Sequence, residues 1–434
     1  MPSVCLDAFN IGLPKGSGIA TYGRNLIQDL GALGIEAQLL YGPHGPIGEG
    51  RLLDTVALTD APAPKGRPAK IRRWAATIGS RFGRTAHPVT PTDEVIWADA
   101  GGGRPPVDRF WAARNLYELG YRSHRAYGTF TPVSFPAGPG RPDAAHWTCP
   151  MPLAARGMPN LYTFHDLIPL KLPHSTMDDK KAFLDMCRDI ARRADHMVAV
   201  SETTRQDVIK LLGVDESRIT TTYQSVNLPA RATDQSDAEV QAYNEGVFDL
   251  GWKDYFLYYG AIEPKKNVGR LVEAYLASGV STPLVIVGGR SWLDGGETAM
   301  IHSVVNGANT LRKGRIRQHE FLSAAMLHSL VRGAKATLFP SLYEGFGLPV
   351  LESMQLGTAV LTSTGGSLPE VAGDAAMVVA PNDVEAIKRG VIALDSDDAL
   401  RADLEKRGRI QAQRFTPAAH QERLAAVYAS LGLR

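Results

Sequence analysis

A chain of 434 residues with 44% apolar and 21% charged side chains is a globular sequence too long for one ordinary domain, so two or three are expected. Its 47 basic and 45 acidic residues leave a formal charge of +2, which removes any whole-molecule argument for nucleic-acid binding. No apolar run approaches the roughly eighteen residues of a membrane span, the start MPSVCLDAFN lacks a charged region ahead of an apolar core, and Cys5, Cys149 and Cys187 are too scattered for a disulfide framework or a metal-ligand set; a cytoplasmic protein with reduced thiols is expected.

Val4-Cys5-Leu6-Asp7 reads as a first strand. A loop holding Gly16 and Gly18 follows, then a helical pattern from Ala20 with Tyr22, Leu26, Ile27 and Leu30 on one side, then a strand over 37–40. Glycines there let the backbone lie against a phosphate, although glycines before a helix are also common. Between 61 and 92 stand Lys65, Arg67, Lys70, Arg72, Arg73, Arg81 and Arg84 with no acidic residue, and Trp74, Ile78 and Phe82 recur at four-residue spacing. A helix through this segment suits an anionic membrane surface or a diphosphate-linked lipid. The simpler expectation is a solvated helix that packs Trp74 and Phe82 on its own domain.

Residues 131–152 are rich in proline, glycine and polar side chains and read as loop, with His146-Trp147 either lining a cleft or packed together. A strand over 161–164 ends at His165-Asp166. A histidine and a carboxylate at a strand's carboxyl end lie where open α/β sheets bind ligands, although a core histidine and a helix-capping aspartate give the same string. A helix over 177–193, a strand over 196–201 and a helix over 202–212 follow, with Ser201 as its cap.

Residues 228–251 show little periodicity and read as the crossing between a first domain, 1–228, and a second, 252–416; a last helix from Pro417 is expected to fold back on the first. A strand over 255–259 precedes Lys265 and Lys266, which stand at a turn before a helix starting near Val268. They supply point charges for a diphosphate, or are ordinary surface lysines. Strands over 284–287 and 336–339 continue a doubly wound pattern. After Pro340 comes a loop of glycines and aromatics, then a helix with Pro349 in its first turn and Val350, Leu351, Met354 and Leu356 on one side. Such a unit leaves unpaired N–H groups and the positive end of a helix dipole at the strand's carboxyl end, where anions bind.

Glu344 and Glu352 bracket that loop with seven residues between them, Glu352 being expected in the first helical turn. Carboxylates beside a phosphate are repulsive unless each meets something else, and sugar hydroxyls serve: a hexose for Glu344, a ribose for Glu352, with close backbone approach at Gly345, Phe346 and Gly347. Ser367-Leu-Pro-Glu370 reads as a capping box. Asp178-Asp179 and Asp395, Asp397 and Asp398 lie in polar stretches, so no metal is expected.

The string Glu344-Gly-Phe-Gly-Leu-Pro-Val-Leu-Glu352, preceded by Phe339-Pro-Ser-Leu-Tyr343 and followed by Gly365-Gly-Ser-Leu-Pro-Glu-Val371, resembles the E-x7-E signature of the retaining GT-B glycosyltransferases of family 4. Thr163-Phe-His-Asp-Leu-Ile-Pro169 is similar to that family's HD segment, and Val198-Ala-Val-Ser-Glu-Thr203 to the end of its first domain. Glu263-Pro-Lys-Lys-Asn267 resembles its P-R-K-N turn, with Lys265 at the arginine position and Ala261 where some relatives carry another arginine. The resemblance implies an α/β GT-B fold, two Rossmann-like doubly wound domains facing a central cleft. It implies catalytic positions at Glu344, His165 and Asp166, and a nucleotide-sugar donor held by Gly16, Gly18, Lys265, Lys266, Gly345, Phe346, Gly347, Leu348 and Glu352, with no cofactor and no metal. The His-Asp-Leu-Ile-Pro and Lys-Lys-Asn forms resemble bacterial mannosyltransferases of surface-polysaccharide pathways. GDP-mannose is therefore the expected donor, with UDP-hexoses or a 6-deoxysugar donor as alternatives, and a glycan or lipid-linked acceptor at the inner membrane face. A nucleotide-sugar epimerase and a catalytically silent sugar-nucleotide sensor share the architecture.

Overall fold

Short apolar strands separated by amphipathic helices give parallel sheets, because a parallel pair needs a crossover long enough to hold a helix. The computed structural model describes residues 1–12, 18–59, 70–97, 103–289 and 315–433, the side chains of 70–73 excepted. Its first sheet runs in the order Ile219–Thr221, His196–Ala199, Asn160–Phe164, Ala144–Trp147, Ser3–Asp7, Glu36–Tyr41, Arg109–Ala112, His87–Val89. Every neighbouring pair is parallel except the last. The chain winds outward in both directions from Ser3–Asp7, so ligands are expected at the carboxyl ends beside this strand.

The second sheet is parallel throughout, in the order Ile316–His319, Leu284–Val287, Phe256–Tyr259, Ala336–Phe339, Ala359–Ser363, Met377–Val379. Its order reverses between Phe256–Tyr259 and Ala336–Phe339, whose residues are all buried. A small third sheet joins Arg84–Thr85, Thr131–Ser134 and Leu153–Ala155. Among the described residues no helix is long and apolar enough to cross a membrane.

Three segments differ from expectation. Residues 131–152 carry two strands, Thr131–Ser134 and Ala144–Trp147, rather than loop. The second hides its polar member: His146 is wholly buried because Nδ1 meets the Tyr428 hydroxyl at 2.7 Å and Nε2 the Thr163 hydroxyl at 2.8 Å. The crossing over 228–251 is largely the helix Asp237–Phe248, opened by a capping box in which Ser236 and Glu239 satisfy each other's backbone N–H. In the basic segment, Trp74 on the helix Lys70–Ser80 is 63% exposed and Phe82 beyond it 76% exposed, so neither packs on its own domain.

The helix Pro417–Ser430 lies against the first domain. His420 Nδ1 meets Asp29 Oδ2 at 2.7 Å, and Gln421 Nε2 donates to Asp29 Oδ1 at 2.8 Å.

Candidate active site

The strand Ala336–Phe339 delivers the chain to a loop ending at Gly347, the N-cap of the helix Leu348–Gln355. Gly347 has φ 105°, a conformation that favours glycine, and Pro349 sits in the first turn, where its missing N–H is no loss. The Phe346 ring is buried against Phe415, with ring centroids 5.6 Å apart, so only its backbone is left for a ligand. Leu348 lies beside Gly18, the first residue of the helix Gly18–Ala32: a Cβ on Gly18 would be 3.7 Å from Leu348 Cδ1. Gly16 lies outside the described residues.

Lys266 Nζ donates to both oxygens of Glu344, at 2.7 and 2.9 Å. Burial works against the Glu344 carboxylate, yet the Lys266 and Lys265 ammoniums hold its pKa below the usual range. Burial likewise opposes the charge on Lys265, and Asp166, Glu344 and Glu263 outweigh it and raise its pKa. Glu352 is the fifth residue of its helix and so falls past the first turn, contrary to expectation, because the helix begins at Leu348. Burial pushes its carboxyl up to about 7, the neighbouring Tyr259 hydroxyl opposing the shift. A small cavity beside these groups is lined by Tyr258, Tyr259, Lys266, Phe339, Glu344 and Gly347.

From the first domain, His165 and Asp166 follow the strand Asn160–Phe164. The His165 Nε2–H donates to the Thr148 carbonyl at 2.8 Å, and the edge-to-face Tyr22 ring stands 5.0 Å away. Burial lowers the His165 pKa, with Thr148 and Asp166 opposing. Asp166 Oδ1 accepts the Ile168 N–H at 3.0 Å in a local Asx-type turn, Leu167 rather than Asp166 being the cap of the short helix Ile168–Lys171, while its charge reaches Lys265 across the cleft.

The two halves meet at Gly345. A Cβ there would lie 1.9 Å from the His165 carbonyl oxygen, so only glycine lets the loop seat against the strand end. Ser201 Oγ donates to the Gly345 carbonyl at 2.7 Å, and Thr204 Oγ1 to the His165 carbonyl at 3.0 Å. The structure thus gathers Glu344, Gly345, Lys265, Lys266, His165 and Asp166 at one point.

Sequence reasoning missed two carboxylates. Glu370 does not complete a capping box, because the Ser367 hydroxyl is taken by the Glu344 and Phe346 carbonyls, at 3.1 and 2.8 Å. Asp7, wholly buried at the end of Ser3–Asp7, accepts the Phe9 and Thr148 N–H groups. Among the described residues no cluster of three or more His, Cys, Asp or Glu could hold a metal ion. Asp179 and Asp397 cap helices, and Asp395 pairs with Lys335 at 3.0 Å. A wider hollow lined by Arg125, Asp179, Asp185, Arg188, Asp189 and Arg192 lies on the first domain away from this point, with charges that largely pair with one another.

Two family models fall on the two sheets: "Glycosyltransferase Family 4" matches residues 16–229 and "Glycosyl transferases group 1" matches 249–411. The chain belongs to this glycosyltransferase family. The chain is 33% identical to O-antigen chain mannosyltransferase B of Escherichia coli over 259 residues, 58% of this chain and 66% of that protein. It is 28% identical to the serotype-specific mannosyltransferase WbdA of Escherichia coli over 261 residues, 58% of this chain and 31% of that protein. The matched region thus spans just under two thirds of one relative and under a third of the other. The solved sucrose-phosphate synthase of Thermosynechococcus elongatus superimposes with a TM-score of 0.66 at 18% identity, covering 99% of both chains. At that identity the likeness concerns the fold, which is GT-B.

Proposed function

We propose that this glycosyltransferase moves a hexose from a nucleotide-diphosphate sugar to a hydroxyl of a glycan or lipid-linked acceptor in cell-surface polysaccharide synthesis, with mannose from GDP-mannose as the donor and retention at the anomeric carbon. The observation that carries the reading is the Lys266–Glu344 pair, set beside the helix amino end at Gly347 and opposite His165. An ammonium has three N–H donors, so Lys266 can keep Glu344 while reaching a phosphate oxygen.

Each group then has a task. Lys265, Lys266 and the positive amino end of the Leu348–Gln355 helix receive the negative charge that grows on the departing diphosphate. Glu344 accepts hydroxyl protons of the hexose and Glu352 those of the ribose, while His165 and Asp166 face the transferred sugar. The bond from C1 to the diphosphate oxygen breaks, the acceptor oxygen bonds C1 on the same face, and its proton passes to that diphosphate oxygen. The charge is met by lysines and backbone, and the reading uses no metal. Mannose is supported by the names of the two mannosyltransferase relatives. The exposed Trp74 and Phe82, with Arg81 and Arg84 nearby in sequence, support peripheral contact with the inner membrane face.

The test is a thermal-shift panel of GDP, UDP, ADP and dTDP with their sugars, since a ligand that binds only the folded state raises the melting temperature. A shift selective for GDP and GDP-mannose, lost in Lys266→Ala, is expected. A shift selective for UDP or dTDP would replace mannose, and an epimerised sugar nucleotide formed without acceptor would replace transfer itself.

A further inference from the structure

Asp7 is the buried carboxylate for which the reaction above has no use. It is 0% exposed at the end of the central strand, and among the described residues no lysine or arginine pairs with it. Burying a carboxylate without a cation is costly. Its surroundings dictate the residue type: the Phe9 N–H points at Oδ1, at 3.2 Å, and the Thr148 N–H at Oδ2. Two donors aimed at two different terminal atoms suit a carboxylate, whereas an amide would turn its NH2 toward one of them.

Thr148 is held from its other side as well, its carbonyl accepting the His165 Nε2–H at 2.8 Å. A carbonyl cannot donate, so this bond requires the proton on Nε2 and leaves Nδ1 with a lone pair in the neutral ring. The Tyr22 edge at 5.0 Å and the Thr204 hydroxyl on the His165 carbonyl fix the ring and its backbone. We infer that Asp7 is a positioning residue for His165: by anchoring the Thr148 backbone it sets the imidazole as an Nε2–H tautomer whose Nδ1 accepts a hydroxyl proton of the bound sugar. The inference rests on the site proposed above. Asp7 itself touches no substrate, being sealed beneath the cleft.

Selective 15N-histidine labelling of the full chain tests this, the His165 signals being found by difference from His165→Gln. The wild-type protein is expected to show the Nε2–H pattern at His165. Asp7→Asn should mix the tautomers and lower kcat by about 10- to 100-fold, the scale of a misplaced catalytic contact, while the melting-temperature shift with donor nucleotide stays. Thr148→Pro removes the N–H that Asp7 holds but keeps the carbonyl, and should reproduce the effect if Asp7→Asn does not fold. An Nδ1–H tautomer in the wild type, or unchanged tautomer and kcat in whichever variant folds, overturns the role of Asp7. Full transfer activity in His165→Gln would instead overturn the site itself.

Discussion

The carboxylate of Glu370, in the second domain, closes the amino end of the first domain's helix Glu202–Leu212 by accepting the Glu202 N–H at 2.8 Å. It also accepts the Thr203 N–H at 3.1 Å and the Thr203 hydroxyl at 3.0 Å. A helix cap is ordinarily local; this one spans the two domains. Glu370→Ala should therefore lose about 1 kcal/mol of cap energy, read as a melting temperature lower by roughly 2–4 °C. It should also widen the interdomain distance in solution scattering, and an unchanged distance would show the cap to be incidental.

Gly345→Ala is expected to be more severe. The added Cβ would stand 1.9 Å from the His165 carbonyl oxygen and 3.0 Å from Asp166 Cβ, so the loop must withdraw from the first domain. Transfer activity should fall by about 100-fold or more, with nucleotide binding by the second domain largely kept. Near-normal kcat in this variant would refute the close seating of the two halves.

Lys266→Ala and Glu344→Ala should each abolish transfer while leaving far-UV circular dichroism unchanged. Lys266→Ala removes the nearest ammonium from Glu344, so its carboxyl should titrate higher in that variant. Lys266→Ala should also lose the nucleotide shift that Glu344→Ala partly retains, which separates phosphate binding from sugar binding. Wild-type rates in either variant would remove the pair from the mechanism.

Glu352 predicts a pH dependence of stability. Its folded carboxyl is raised to about 7, so the fold favours the neutral form. That contribution is fully present below the ordinary carboxyl pKa of about 4.3 and is lost as pH rises through about 7. The loss is of order 3–4 kcal/mol. Glu352→Gln should flatten the fall in melting temperature between about pH 5 and pH 8, and parallel curves for the two proteins would show that the carboxyl is not perturbed.

Trp74→Glu combined with Phe82→Glu should abolish sedimentation with anionic vesicles and leave turnover of a soluble acceptor unchanged. Equal sedimentation of both proteins would remove these side chains from any membrane contact.

Much of the second domain was legible because its signals are local: an apolar strand, a glycine loop and a prolyl helix start within 336–355. The placement of His165 at a strand end was legible for the same reason. What escaped depends on residues distant in sequence. Ser236 and Glu239 form a true capping box, whereas Ser367 and Glu370 have the same spacing and do not. The difference lies in partners distant in sequence: the first domain offers Glu370 three donors, and the Glu344–Phe346 loop of its own domain offers Ser367 two carbonyls. His146 disguised a buried strand because its partners, Thr163 and Tyr428, are 17 and 282 residues away. Asp7 looked like an ordinary strand end for the same reason, since Thr148 is 141 residues away.

The chain passes between the domains twice, once after Tyr223 and again near Phe415, and these two rings touch with centroids 5.3 Å apart. One body joined to another at a single strand can swivel freely, but two adjacent pins leave a door, turning about the line through them. Phe346 packs on Phe415, so the loop bearing Glu344 is mounted next to the pivot. Points beside a pivot travel little while the far rim sweeps wide. Whatever angle the door takes, the Glu344 loop therefore stays in step with His165.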